Sequence, residues 1–167
     1  MSGPSGRGEL VTIELHRFPV AVWARADEEQ RDLLREFELI ALGNEQGLPA
    51  RLLQVMAELE KNYGGLNLES EETLRHARDR GASEIDYLAF VVPQGIEDDL
   101  ERAVSVLDEA DAYCREGEHL LSLASSPAAR ALREWLVAEI RAQLSGGEPT
   151  PWPDSDFARQ AGEHVSE

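Results

Sequence analysis

Two stretches alternate with a period of two residues, and they limit any sheet in this chain to a narrow ribbon. In Leu10–Phe18, Leu10, Thr12, Glu14, His16 and Phe18 share one face, while Val11, Ile13 and Leu15 share the other. In Ser83–Val92, Ile85, Tyr87, Ala89 and Val91 alternate with Asp86, Leu88, Phe90 and Val92. The second half of this stretch is apolar on both faces, which predicts a strand covered on both sides. No other segment offers the first strand a convincing partner. Two strands are marginal alone and must lean on helices. The expected fold is therefore α+β and mainly helical, with about five helices packed on a small two-stranded antiparallel ribbon.

The rest of the chain repeats its apolar residues at helical spacing. Pro19 ends the first strand and opens a helix over Val20–Leu42, with Trp23, Ala26, Leu33, Leu34, Phe37 and Ile40 on one stripe. Pro49 opens a second helix carrying Leu52, Leu53, Met56 and Leu59, which Gly64 and Gly65 terminate. Ser70 reads as the cap of a short polar helix ending at Gly81, expected on the rim rather than in the core. Beyond Pro93, a long acidic helix places Ile96, Leu100, Ala103, Val104, Leu107, Ala110 and Cys114 on one face. Ser126 and Pro127 cap and open the last helix, with Leu132, Trp135, Leu136, Ile140 and Leu144 on its stripe. One globular domain over residues 9–153 is expected, with flexible tails at 1–8 and 154–167.

Composition narrows the function classes. An apolar fraction of 42% beside 29% charged residues argues for a folded chain rather than a disordered one. The 33 acidic residues outnumber the 16 basic ones, for a net charge of −17, so nucleic acid and anionic membranes are not expected partners. No apolar run reaches the length of a membrane span and the first residues lack a signal-peptide core, so a cytoplasmic protein is expected. A single cysteine, Cys114, excludes an internal disulfide and a multi-cysteine zinc site.

No catalytic motif emerges. Cys114 falls on an apolar stripe and reads as a buried structural thiol. His16, His76, His119 and His164 are scattered singly without metal-ligand spacing, and no metal or cofactor is expected. Paired acids such as Asp108 and Glu109 read as a solvated helix face rather than an acid/base pair. Trp152, between prolines in the Pro149–Pro153 segment, has two readings: it folds back and pins the terminus, or it stands out as a docking point.

The phrases LLREFELIAL (Leu33–Leu42), LDEADAYCREGEHLLSLASSP (Leu107–Pro127) and LREWLVAEIRAQLSGGEPTPWP (Leu132–Pro153) resemble a group of small actinobacterial proteins. Members of that group are encoded beside STAS-domain anti-sigma-factor antagonists and ATP-binding anti-sigma kinases. The resemblance implies a role in partner-switching control of transcription, with a STAS protein, an anti-sigma kinase or a sigma factor as partner. It implies no catalytic residue, and the chain lacks the asparagine-bearing helix and DxGxG-type loop of the kinases.

The leading expectation is a non-enzymatic regulatory domain that docks a basic partner through Glu97, Asp98, Glu101, Asp108 and Trp152. The competing expectation is a small-molecule sensor or enzyme with an apolar cavity between ribbon and long helices, its polar groups drawn from Tyr87, Tyr113 or His119. An acidic mimic of nucleic acid ranks last, because the carboxylates keep no regular register. A homodimer through an open edge of the Ile85–Val92 strand is a further expectation.

Overall fold

The computed structural model describes residues 9–117, 120 and 123–163. β1 (Leu10–Phe18) and β2 (Ile85–Pro93) pair antiparallel, with Leu10 opposite Pro93 and Phe18 opposite Ile85. On the inner face, Val11, Ile13 and Leu15 lie across from Val92, Phe90 and Leu88. Helices cover this face, where Ile13, Leu15, Leu88 and Val92 are buried. The outer face pairs Glu14 with Ala89 and His16 with Tyr87, and Tyr87 is 48% exposed. The ribbon is thus covered on one side only, and the expectation of two covered faces for β2 is corrected.

One residue breaks the alternation of β1. Arg17 has φ 52°, a left-handed conformation uncommon outside glycine. Phe18 therefore leaves the face shared by Glu14 and His16 and turns into the core, 2% exposed, with its ring 6.2 Å from that of Trp135.

Six α-helices follow among the described residues: α1 (Val20–Gly43), α2 (Leu48–Tyr63), α3 (Leu68–Asp79), α4 (Glu97–Glu116), α5 (Pro127–Leu144) and α6 (Asp156–Glu163). This is the mainly helical α+β fold that the spacing predicts. None of these helices is long and apolar enough to cross a membrane. α1 runs unbroken through Asp27. Ser126 caps α5 by accepting from Ala129 N, as its position before Pro127 requires.

Two corrections concern short elements. α3 starts at Leu68, so Ser70 lies inside its first turn rather than at its cap; Leu74 and Ala77 are buried, so the helix joins the core. The segment from Asp154, expected to be flexible, forms α6 and packs on α5 with Ala161 buried. Its entry is fixed by Ser155, which donates to Trp152 O and accepts from Ala158 N. The expected tail at 1–8 and residues 164–167 lie outside the described residues.

Both outer edges of the ribbon are closed by side-chain amides. Asn67, just before α3, accepts from Val91 N at 2.8 Å and donates to Val91 O at 2.9 Å. Ser70 donates to Ala89 O on the same edge. On the opposite edge, Gln143 of α5 accepts from Glu14 N at 2.8 Å and donates to Glu14 O at 2.9 Å. Each amide takes the place of a strand neighbour at one position of its edge, Val91 on β2 and Glu14 on β1. Phe90 and Val92, expected at a dimer interface, face inward instead. Nothing in this arrangement supports a homodimer through β2.

Candidate functional site

The core is divided. One cluster joins the ribbon to α3, α5 and α6, with Ile13, Phe18, Leu88, Leu132, Trp135 and Trp152 buried in it. The other joins α1, α2 and α4 around Leu33, Phe37, Leu52, Val106, Ala110 and Cys114. The apolar residues of α4 share one broad face, as expected, and that face is divided between neighbours. Val106, Ala110 and Cys114 are buried in the α1–α2–α4 cluster, against which Leu107 also packs, whereas Leu100 packs against the ribbon cluster. At 3.6 residues per turn Ala103 falls between Ala110 and Cys114, so the face is continuous.

Leu100, Ala103, Val104 and Leu107 of that face line a cavity of about 470 Å³ between the clusters. Leu15, Leu88 and Phe90 form its ribbon wall. Trp23, Ala26 and Leu33 of α1 and Leu132, Leu136, Val137 and Ile140 of α5 form two others. Gln30 and Glu71, both exposed, stand at its rim. A mostly apolar hollow of this size lies within the ~300–1,000 Å³ range of small-molecule sites.

A small polar network borders it. Asp111 is 3% exposed, and its Oδ1 accepts from Ser125 N at 2.9 Å and Ser125 Oγ at 2.8 Å. Its Oδ2 accepts from Arg133 Nη2 at 3.1 Å, and the same nitrogen reaches Asp108 Oδ1 at 3.2 Å. Ser125 and Arg133 both line the cavity. On the α1 side, Glu29 accepts from Ser126 N and Oγ, while Asp27 faces Arg31 at 2.8 Å and Arg78 at 3.6 Å. Arg78 lies over the Trp23 ring, 5.6 Å from its centroid.

The expected docking residues are not brought together. Glu97, Asp98 and Glu101 are exposed on the outer side of α4, and Asp108 is drawn to Arg133. Trp152 folds back onto the domain: it is 8% exposed and packs edge-on against Trp135 at 5.5 Å. It gets there because Gly146, with φ 85°, reverses the chain after α5, and Thr150 O then accepts from Trp135 Nε1. The polar residues expected for a cavity also fall elsewhere. Tyr87 lies on the outer face of the ribbon, bonded to Glu14, and Tyr113 packs on Phe37 in the other cluster. His119 lies outside the described residues.

Asp111, Ser125 and Arg133 form a network that no motif in the sequence announces. Their signal was present: Asp111 lies four residues after Leu107 and Arg133 four before Val137, so both are charges on apolar stripes. Cys114 is fully buried, and burial together with the Asp111 carboxylate pushes its thiol up to about 11. That is the opposite of what a reactive thiol requires. No group of three or more metal-ligating side chains occurs among the described residues. No family model, no curated protein and no solved structure matches the chain.

Proposed function

We propose that the chain is a small-molecule-binding domain whose ligand, largely apolar, lodges between the two clusters. The observation that carries this reading is the cavity of about 470 Å³ walled by both halves of the core. The hollow opens to solvent at its Gln30 and Glu71 rim, and its walls are largely apolar with a few polar groups, as small-molecule sites are. Binding would tie the ribbon cluster to the α1–α2 cluster and so report ligand as a change in rigidity. The test is titration with N-phenyl-1-naphthylamine, an uncharged dye that brightens in apolar surroundings. Saturable binding at micromolar concentration, abolished by the cavity-filling V104W variant with its circular dichroism unchanged, is the expected result. Absence of saturable binding in the unsubstituted protein would sink the reading.

A second reading keeps the protein partner implied by the sequence resemblance. It is supported by the exposed carboxylates Glu97, Asp98 and Glu101 at the start of α4, which suit a basic surface. Co-purification with a STAS protein, an anti-sigma kinase or a sigma factor, weakening as salt is added, is its expected outcome. Failure to bind any of the three at micromolar concentration removes it.

A further inference from the structure

We infer that the cavity selects an uncharged amphiphile bearing a carbonyl oxygen, such as a medium-chain ester or ketone, and that Arg133 holds that oxygen. The inference rests on the cavity being a binding site and concerns what chemistry it accepts. Most of the bordering carboxylates accept hydrogen bonds, but the buried Oδ2 of Asp27, although ion-paired, accepts none. Asp27 faces Arg31 and Arg78, Glu29 accepts from Ser126, and Asp111 accepts from Ser125 and Arg133. Glu71, exposed at the rim, is left to water.

Arg133 is the exception. Its two carboxylate partners both engage Nη2, and Nε and Nη1 have no hydrogen-bond partner among the described residues. A guanidinium has five N–H donors in a fixed fork, so three remain for a ligand. The side chain is 19% exposed and is held by Asp111, whose side chain is 5% exposed and itself clamped by Ser125. The donors are therefore oriented before anything binds, which lowers the ordering cost of binding.

Charge decides among head groups. A carboxylate would bring a third negative charge to a guanidinium already flanked by two, within a molecule of net charge −17. An ammonium would meet the Arg133 guanidinium, and Asp27 Oδ2, which accepts no hydrogen bond, already lies against the guanidinium groups of Arg31 and Arg78. A carbonyl oxygen accepts from Nε or Nη1 without carrying net charge into an apolar hollow, the transfer that costs most.

The experiment displaces N-phenyl-1-naphthylamine with a matched ten-carbon series: methyl decanoate, decyl methyl ether, decanoate and decylamine. The ester is expected to displace the dye at about tenfold lower concentration than the ether, the acid or the amine, as one hydrogen bond to a charged donor implies. The R133K variant keeps a cation beside Asp111 but loses the planar fork. It should erase the ester's advantage over the ether while leaving dye affinity within about twofold, on the scale of a tenth to a fifth of that preference. Equal or tighter binding of acid, amine or ether overturns the inference, as does an ester preference that survives R133K. Those results leave the cavity reading standing, whereas failure of the dye to bind removes both. If R133K does not fold, the ranking in the unsubstituted protein decides alone.

Discussion

Arg17 shows how one backbone angle decides what a strand buries. Its φ of 52° lets Phe18 cross from the outer face to the core, and its side chain pairs with Glu84 in an exposed ion pair. A β-branched residue tolerates that region less well than arginine does, and glycine better. R17V is expected to lose about 1–2 kcal/mol in urea unfolding, and R17G to stay within about 0.5 kcal/mol of the parent. Equal losses in both variants would show that side-chain contacts, not the angle, set the cost. Alternation alone placed Phe18 with His16, because a period of two carries no record of a residue that leaves the β region.

Titration belongs to this scale too. Burial raises the Cys114 thiol from 9.0 to about 11, and burial with the Asp99 hydrogen bond raises the Tyr63 hydroxyl from 10.0 to about 12. Both folded values lie above the unfolded ones, so the unfolded chain releases these protons first as pH rises. Their contribution is intact below pH 9 and is lost between about 9 and 12. Urea midpoints should fall across that window, and C114A should flatten its lower part between 9 and 11. An unchanged slope in C114A would remove the thiol from the account.

At the scale of elements, the decisive contacts are the amides that close the ribbon. Asn67 and Gln143 each replace a missing strand with a donor and an acceptor. N67A and Q143A should each lose about 1–3 kcal/mol by leaving two backbone groups without partners. They should also expose an edge, visible as concentration-dependent growth in light scattering. Monodisperse variants of unchanged mass would show that the edges are protected in some other way. The placement of helices and strands was legible in the sequence because periodicity and proline positions report local geometry. These amides were not, since Asn67 sits in a turn and Gln143 sits on a helix, and nothing in either pattern names a strand as partner. How the apolar face of α4 is shared was not legible for a related reason: Leu100 and Leu107 are equally apolar, and only the packing assigns them to different clusters.

For the whole molecule, the divided core sets what ligand can do. The α1–α2–α4 cluster and the ribbon cluster meet around a hollow, so filling it adds contacts to both. A ligand at one hundred times its dissociation constant should raise unfolding free energy by about 2.7 kcal/mol. For a chain of this size that corresponds to a rise in Tm of roughly 5–10 °C. Differential scanning fluorimetry with methyl decanoate measures it, and V104W should show no response. A comparable shift in V104W would place the ligand outside the cavity. The cavity could be anticipated only as a class of arrangement. Spacing says which side chains face inward, while the volume they leave unfilled depends on how far apart the helices settle.

The bond between Glu14 and Gln143 spans 129 residues. On a ribosome adding about 5–20 residues per second, Gln143 is made roughly 6–26 s after Glu14. During that interval β1 is an apolar strand with one edge unprotected, and before β2 is made it has no partner at all. The strand that begins the fold is therefore among the last to be finished. Its safety in a growing chain depends on the speed of synthesis or on whatever shelters the nascent chain as it emerges.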